Sequence, residues 1–276
     1  MNASGGSPAG PSIIGWIFRL ILVGVSVYFI YWAYKKLYEG PADSTVLLKD
    51  IYIGNPEPAK AFAFAKEKLP PLFEGGEYSV SMWIYVNGWA NSTRYQFNKD
   101  VFALGNLASD SGKLTLGIYL DSRDNVLHVR TGSAGSVLTT GAYNALFTSM
   151  PTTPNAGADT PGDCMISPFA LQRWVHVVVA LSGKTVDVYI DGKLARSCVL
   201  SDLYSADPTY SVRIAGNSGF AGYISGARTL AYAVNPEEVY RMYMGGPLGS
   251  VSWTEYIKSL FDPKAIGTLD YPKMNI

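Results

Sequence analysis

The chain has 276 residues, room for one large domain or two small ones, because domains usually run roughly 100–200 residues. Its formal net charge is zero and its pI near 6.7, so it lacks the positive field that holds a phosphate backbone, which argues against nucleic acid as a partner. With 48% apolar, 13% aromatic and only 16% charged residues, and 19 Tyr beside 28 Gly, the composition argues against wholesale disorder and for strands joined by turns.

Residues 1–12, MNASGGSPAGPS, read as a flexible N-terminal segment. Residues 13–34, IIGWIFRLILVGVSVYFIYWAY, follow with Arg19 as their one charge; as a helix they would span roughly 33 Å, close to a hydrocarbon core. Trp16 near one end and Tyr28, Tyr31, Trp32 and Tyr34 near the other fit headgroup-level aromatic belts, and Arg19 is near enough to the boundary to snorkel. A transmembrane helix is therefore expected. A cleaved signal peptide is the competing reading, disfavoured because no Lys or Arg precedes the apolar run and bulky aromatics end it. Lys35 and Lys36 directly after the helix place the C-terminal part on the cytoplasmic side by the positive-inside rule, by a margin of a few charges. On the other side of the membrane the sequons at Asn2 and Asn91 would matter.

Residues 35–44 read as a linker, and TVLLKDIYIG from Thr45 has the β-branched character of a first strand. The segment 59–77, with Pro70-Pro71 and Gly75-Gly76, fits a short helix or an irregular wrap, and the pattern does not decide. From Tyr78 the alternation is clear: Tyr78, Val80, Met82, Ile84 and Val86 share a core face, Ser79, Ser81, Trp83 and Tyr85 the other. Trp83 and Tyr85 then lie in a second packed layer or on a surface groove, burial being preferred. VFALGN, KLTLGIYL and NVLHVR follow as strands, the last two joined at DSRDN.

Residues 131–168 are rich in Gly, Thr, Ser and Pro, far longer than a usual loop, and are where a specificity loop is expected. RWVHVVVALSGKTVDVYIDGKLARSCVL then predicts a three-stranded meander turning at Ser182-Gly183-Lys184 and at Asp191-Gly192. Two more strands lie in SVRIAGNSGFAGYISGARTLAYA. Asn235 as N-cap, Pro236 and two acids open a helix that Gly245-Gly246-Pro247 ends. Residues 248–276 read as a C-terminal arm with a short helix at 253–260. Cys164 and Cys198 are read as small buried apolar residues, with a single disulfide as the alternative.

EYSVSMWIYV, RWVHVVVALSGKTVDVYIDGKLA and FAGYISGARTLAYAVNPEEVYRMY, taken in that order, resemble the laminin-G-like, concanavalin A-like lectin jelly rolls. The resemblance covers residues 45–247 and implies an all-β antiparallel sandwich preceded by one transmembrane helix. The N-terminal anchor, this jelly roll and the closing Tyr-x-x-Gly-Pro together also look like membrane-associated structural proteins of large DNA viruses, a looser likeness.

Glucanases of this fold carry paired acids on one strand as Glu-x-Asp-x-x-Glu, and no such run occurs here. The chain is expected to be no enzyme. His128 and His176 fall on strands and are read as packing or hydrogen-bonding residues. Some relatives hold Ca2+ through loop aspartates; Asp121, Asp124 and Asn125 of DSRDN are the nearest candidates, though a plain turn wants the same residues. No cofactor is expected. Trp89, Tyr95 and Tyr143 are candidate rings for stacking on sugars, each with a packing role as the alternative. The expected function is a membrane-anchored interaction protein, a minor capsid or membrane-coat component meeting the bilayer through residues 13–34 and other proteins through its sandwich. The cytoplasmic orientation would suit an internal virion membrane. A glycan is the alternative partner, and the chain then a membrane-anchored lectin.

Overall fold

The computed structural model describes residues 13–38, 43–54, 61–88, 97–148 and 162–247. The chain divides into two compact units, residues 1–43 and 44–276. In the first, one helix, α1 (Ile13–Tyr38), runs four residues past the expected end. Gly15–Ala33 within it is long and apolar enough to cross a membrane, a test that a signal sequence also passes. Ser26 satisfies its hydroxyl inside the helix, donating to the Leu22 carbonyl at 2.8 Å.

The second unit is a sandwich of two antiparallel sheets. Its strands are β1 (Ser44–Val46), β2 (Tyr52–Ile53), β3 (Phe62–Ala65), β4 (Glu77–Val86), β5 (Lys99–Gly105), β6 (Leu114–Leu120) and β7 (Leu127–Thr131). After helix α2 (Thr140–Ala145) come β8 (Asp163–Ile166), β9 (Trp174–Ser182), β10 (Thr185–Ile190), β11 (Lys193–Val199), β12 (Ser211–Ile214) and β13 (Gly222–Leu230), and helix α3 (Pro236–Met244) follows. The seven-stranded first sheet has the order β1-β13-β4-β9-β10-β11, with β2 also on β13. The second, six-stranded, runs β3-β12-β5-β6-β7-β8.

Period-two patterning builds the interior. Tyr78, Val80, Met82, Ile84 and Val86 of β4 are buried and face Phe102, Leu104, Leu116 and Ile118 across the sandwich core, with Val175, Val177 and Val179 of β9 beside them. Fully burying each side chain of this kind contributes about 1.5–3 kcal/mol. The expected meander is β9-β10-β11. Asp191 (φ 50°) and Gly192 (φ 80°) both take the positive φ that a two-residue primed turn requires. The Asn235 side chain accepts from the Glu238 amide at 2.9 Å, capping α3 as its position implied.

Four sequence readings change. The first strand is broken into β1 and β2, because the Leu47 and Leu48 amides both donate to the Ala227 carbonyl at a bulge in β13, turning both leucines into the core. The undecided segment 59–77 contributes edge strand β3, paired with β12, and a 3-10 turn at Lys66–Lys68. Residues 131–168, expected as a loop, supply α2 and β8. Leu138 and Leu146, with buried Tyr143 and Phe147, form an apolar layer against Ala103, Leu114 and Tyr119, and only long-range packing shows that so polar a stretch covers a sheet. Cys164 and Cys198, read as free, form a disulfide with Cα atoms 6.0 Å apart, joining edge strand β8 of the second sheet to edge strand β11 of the first. The expected short helix at 253–260 and the arm 248–276 lie outside the described residues, as do residues 1–12.

Candidate functional site

Three clusters of functional side chains stand out in the sandwich, and two of them turn inward. The first is at the β6–β7 turn. Asp121 Oδ1 accepts from the amides of Arg123 (2.7 Å) and Asp124 (3.1 Å), and Oδ2 lies 3.5 Å from His128 Nε2. His128 Nδ1 is 3.0 Å from Asp163 Oδ2 on β8, and its ring stacks on Tyr119 at 4.6 Å between centroids. Burial alone would lower the His128 pKa, but the two carboxylates outweigh it and raise it to about 9. Asp121 shows the converse: burial pushes it up, while His128 and the two amides bring it down to about 2. Lys99 closes the cluster from β5, donating to the Asp121 (3.0 Å) and Ser122 (3.2 Å) carbonyls; burial lowers its pKa to about 8 against the pull of Asp121.

Of the three residues that were the nearest candidates for Ca2+, Asp121 therefore spends its carboxylate on its own turn and on His128, while Asp124 and Asn125 are exposed. That donor set falls short of the six to eight oxygens Ca2+ takes, and among the described residues no group of three or more His, Cys, Asp or Glu converges as a metal site.

The second cluster centres on Asp100, buried on β5. It accepts from Tyr143 Oη (2.8 Å), Arg213 Nη2 (3.1 Å) and Asn217 Nδ2 (2.9 Å), and Arg213 also donates to Asn144 Oδ1 at 2.9 Å. Burial raises the Asp100 pKa, with Arg213 opposing, and burial followed by the nearby Asp100 raises Tyr143 well above the usual phenol. Asn217 is delivered by a loop with positive φ at Ala215 (52°), Asn217 (46°), Ser218 (71°) and Gly219 (55°). Tyr143, expected as a candidate sugar platform, has no exposed surface: its ring packs over Gly117 and against Phe147 at 4.9 Å. It is a core residue that satisfies a buried carboxylate. The other two candidate rings, Trp89 and Tyr95, lie outside the described residues. The buried carboxylates of Asp100, Asp121 and Asp163 are thus each engaged from within the sandwich.

The third cluster is on the outer face of the first sheet. Cross-strand pairing sets residues of β13, β4 and β9 side by side in rows: Leu230–Ser79–Ala180, then Arg228–Ser81–Val178, Ser225–Trp83–His176 and Tyr223–Tyr85–Trp174. Helix α3 and the residues around it cover the first three. Val234, Val239 and Met242 pack over Leu230, Ala180 and Val178, and Tyr243 stacks on Trp83 at 5.7 Å. The Ser225 hydroxyl donates to the Pro247 carbonyl, closing that row. His176 is held here by Ser81 Oγ, 3.0 Å from Nε2, and burial, then Arg228, lowers its pKa to about 4, so it is neutral.

Among the described residues, the cover stops at the fourth row. Tyr223, Tyr85 and Trp174 are half-buried, with ring centroids 6.0 and 5.6 Å apart, and Ile53, paired with Tyr223, is exposed beside them. Of the expected choice between packed layer and surface groove, with burial preferred, Trp83 takes the first, and Tyr85 stays half-buried between Trp174 and Tyr223 on the outer face. Trp174 and Tyr223 were not singled out in the sequence; their opposition to Tyr85 depends on strand register, and only the outer-face parity of each strand hinted at it.

The profile of the concanavalin A-like lectin/glucanases superfamily matches residues 63–240. Among solved structures, the chain is similar to the botulinum neurotoxin serotype D binding domain (12% identity, 73% of this chain and 46% of that one, TM-score 0.47). It is also similar to the serotype D ligand binding domain in complex with N-acetylneuraminic acid (11%, 71% and 46%, 0.44) and to the serotype G binding domain (13%, 73% and 46%, 0.42). The chain spans less than half the length of these three structures, and the likeness is one of fold alone. No curated protein sequence matches it.

Proposed function

Because the chain belongs to the concanavalin A-like lectin/glucanases superfamily, we propose that it is a non-enzymatic recognition domain tethered to a bilayer, which contacts protein partners as a minor component of a capsid or membrane coat. The observation that carries this reading is the surface of α1, where Leu20, Ile21, Leu22, Val23, Phe29 and Ile30 are each more than half exposed. Such a continuous apolar surface is costly in water and suited to lipid. Residues 13–34 are the anchor, residues 45–247 the recognition domain, and 35–44 the link between them.

The disulfide favours the side of the membrane opposite to the one the lysines suggest. Two lysines favour the cytoplasm weakly, whereas a disulfide between two edge strands belongs to an oxidising compartment, since cytosolic thiols are kept reduced. We place the sandwich on the lumenal or external side. A second reading, carbohydrate recognition, is favoured by the half-open aromatic row.

Protease protection of the full-length protein in sealed vesicles, with thiol alkylation before and after reduction, tests the reading. A sandwich that resists external protease until detergent is added, with cysteines that alkylate only after reduction, is the expected result. Digestion from the cytosolic face with freely reactive thiols would restore the cytoplasmic orientation. Release of the protein by alkaline carbonate would remove the tether altogether.

A further inference from the structure

We propose that helix α3 is an acid-released cover: protonation of His176 beneath it lifts the helix from the outer face of the first sheet while the sandwich stays folded. The proposal goes beyond the tethered reading and does not depend on it.

The surroundings of His176 suit a neutral ring only. It is 1% exposed; Ser81 Oγ lies 3.0 Å from Nε2, and the buried Nδ1 has no hydrogen-bond partner among the described residues. A neutral imidazole can keep its proton on Nε2 and leave Nδ1 as a bare acceptor, whereas an imidazolium carries a donor on both nitrogens. Its second N–H would be buried without an acceptor, at the full cost of desolvation. Trp83, with its ring centroid 4.9 Å away, offers a face that favours a cation, but no acceptor oxygen.

The charges around the ring add to the penalty. Arg228 on β13 repels a second cation, and its own Nε is buried and unpartnered among the described residues. Asp191, at the β10–β11 turn, attracts the ring, but its Oδ2 lies 2.7 Å from Arg173 Nη2 and its Oδ1 accepts from the His176 amide at 2.9 Å. On α3, Glu238 acts on Arg228, while Glu237 and Arg241 are exposed and 3.9 Å from each other. Tyr243 of α3 and Tyr189 of β10 complete the layer with aromatic rings. Burial first and Arg228 second hold the His176 pKa down at about 4.

The helix yields before the sandwich because its contacts are separate. Val234 and Val239 pack on Val178, Ala180, Tyr189 and Leu230 in a cluster distinct from the core between the sheets, and Val239 is the one buried residue of α3 itself. Lifting α3 brings water to Nδ1 and to Arg228 without parting the sheets. The covered state binds fewer protons, so acid favours release. With the uncovered ring near its ordinary value of about 6.5, a fall from pH 6.5 to 4 shifts the docking equilibrium by up to about 300-fold.

The test is hydrogen–deuterium exchange of the full-length protein in detergent, read by mass spectrometry from pH 7 to 4 and corrected for the intrinsic pH dependence of exchange. Protection of α3 should fall about tenfold or more over that range while β4, β5 and β6 keep theirs. His176→Phe, which retains a ring and cannot titrate, should keep α3 protected at pH 4. Should that variant fail to fold, histidine-labelled wild type gives two ring signals in NMR, since the chain has two histidines. One of them must titrate well below 6.5, in step with the loss of α3 protection. An α3 still protected at pH 4, the same loss in folded His176→Phe, simultaneous loss across β4 to β6, or two histidines titrating at or above 6.5 would overturn the proposal. None of these outcomes bears on the tether, which vesicle protection judges separately.

Discussion

Replacing both Cys164 and Cys198 by Ala removes the covalent tie between the two sheets. The bridge closes a loop over a sequence separation of 34, and freeing a loop of that length restores chain entropy to the unfolded state worth about 4 kcal/mol at 25 °C. That is a large share of the roughly 5–15 kcal/mol that keeps a domain folded. The replacement adds only a small local loss, because Cys164 lies in the apolar core and Ala leaves no unpaired polar group there. Equilibrium urea unfolding of the full-length protein in detergent, followed by tryptophan fluorescence, should show a loss of about 3–4 kcal/mol. The slope should rise, since the uncrosslinked chain exposes more surface when unfolded. Dithiothreitol should bring the wild type to the variant's midpoint and leave the variant unmoved. A loss below about 1 kcal/mol, or a wild type indifferent to reductant, would refute the reasoning.

The His128 pKa, raised to about 9, means that its ion pairs stabilise the fold fully below the unfolded value near 6.5 and that this contribution is lost as pH rises through 9. Lys99 acts oppositely: lowered to about 8, it penalises the fold when charged, and that penalty lifts between pH 8 and 10.5. The Tm gap between wild type and His128→Asn should therefore be widest at pH 6 and narrow by pH 9.5, and a gap constant with pH would refute the assignment. Tyr143→Phe takes one donor from buried Asp100 and should cost about 1–3 kcal/mol in urea unfolding; a neutral effect on stability would mean that Arg213 and Asn217 suffice. Asn235→Ala removes the α3 cap and should cost about 1 kcal/mol, with faster amide exchange at Glu238 as its local signature.

What could be read from the sequence was what neighbours in the chain decide. The alternation from Tyr78 to Val86, the Asp191-Gly192 turn and the Asn235-Pro236 helix start are all set within ten residues or fewer, and each is where patterning put it. Contacts between distant strands were not legible. Cys164 and Cys198 meet because β8 and β11 end their respective sheets on the same side, which no local pattern encodes. Tyr143 sits in a Gly- and Thr-rich stretch whose composition suggests exposure, yet the stretch folds over β6 and buries the ring. The aromatic row was half legible: parity put Tyr85 on the outer face, and register supplied Trp174 and Tyr223.

The way the chain enters the sandwich makes β1 the strand that would yield first under tension. Tension arriving along the backbone first meets β1, three residues paired to the end of β13. Peeling that strand breaks only a few hydrogen bonds and uncovers little apolar surface, since Ser44 and Val46 are already exposed. The pull then reaches Leu47 and Leu48, both buried and both bonded through their amides to Ala227. Force on the preceding chain would therefore free one short strand and stop there, leaving β13, β4 and β9 in register.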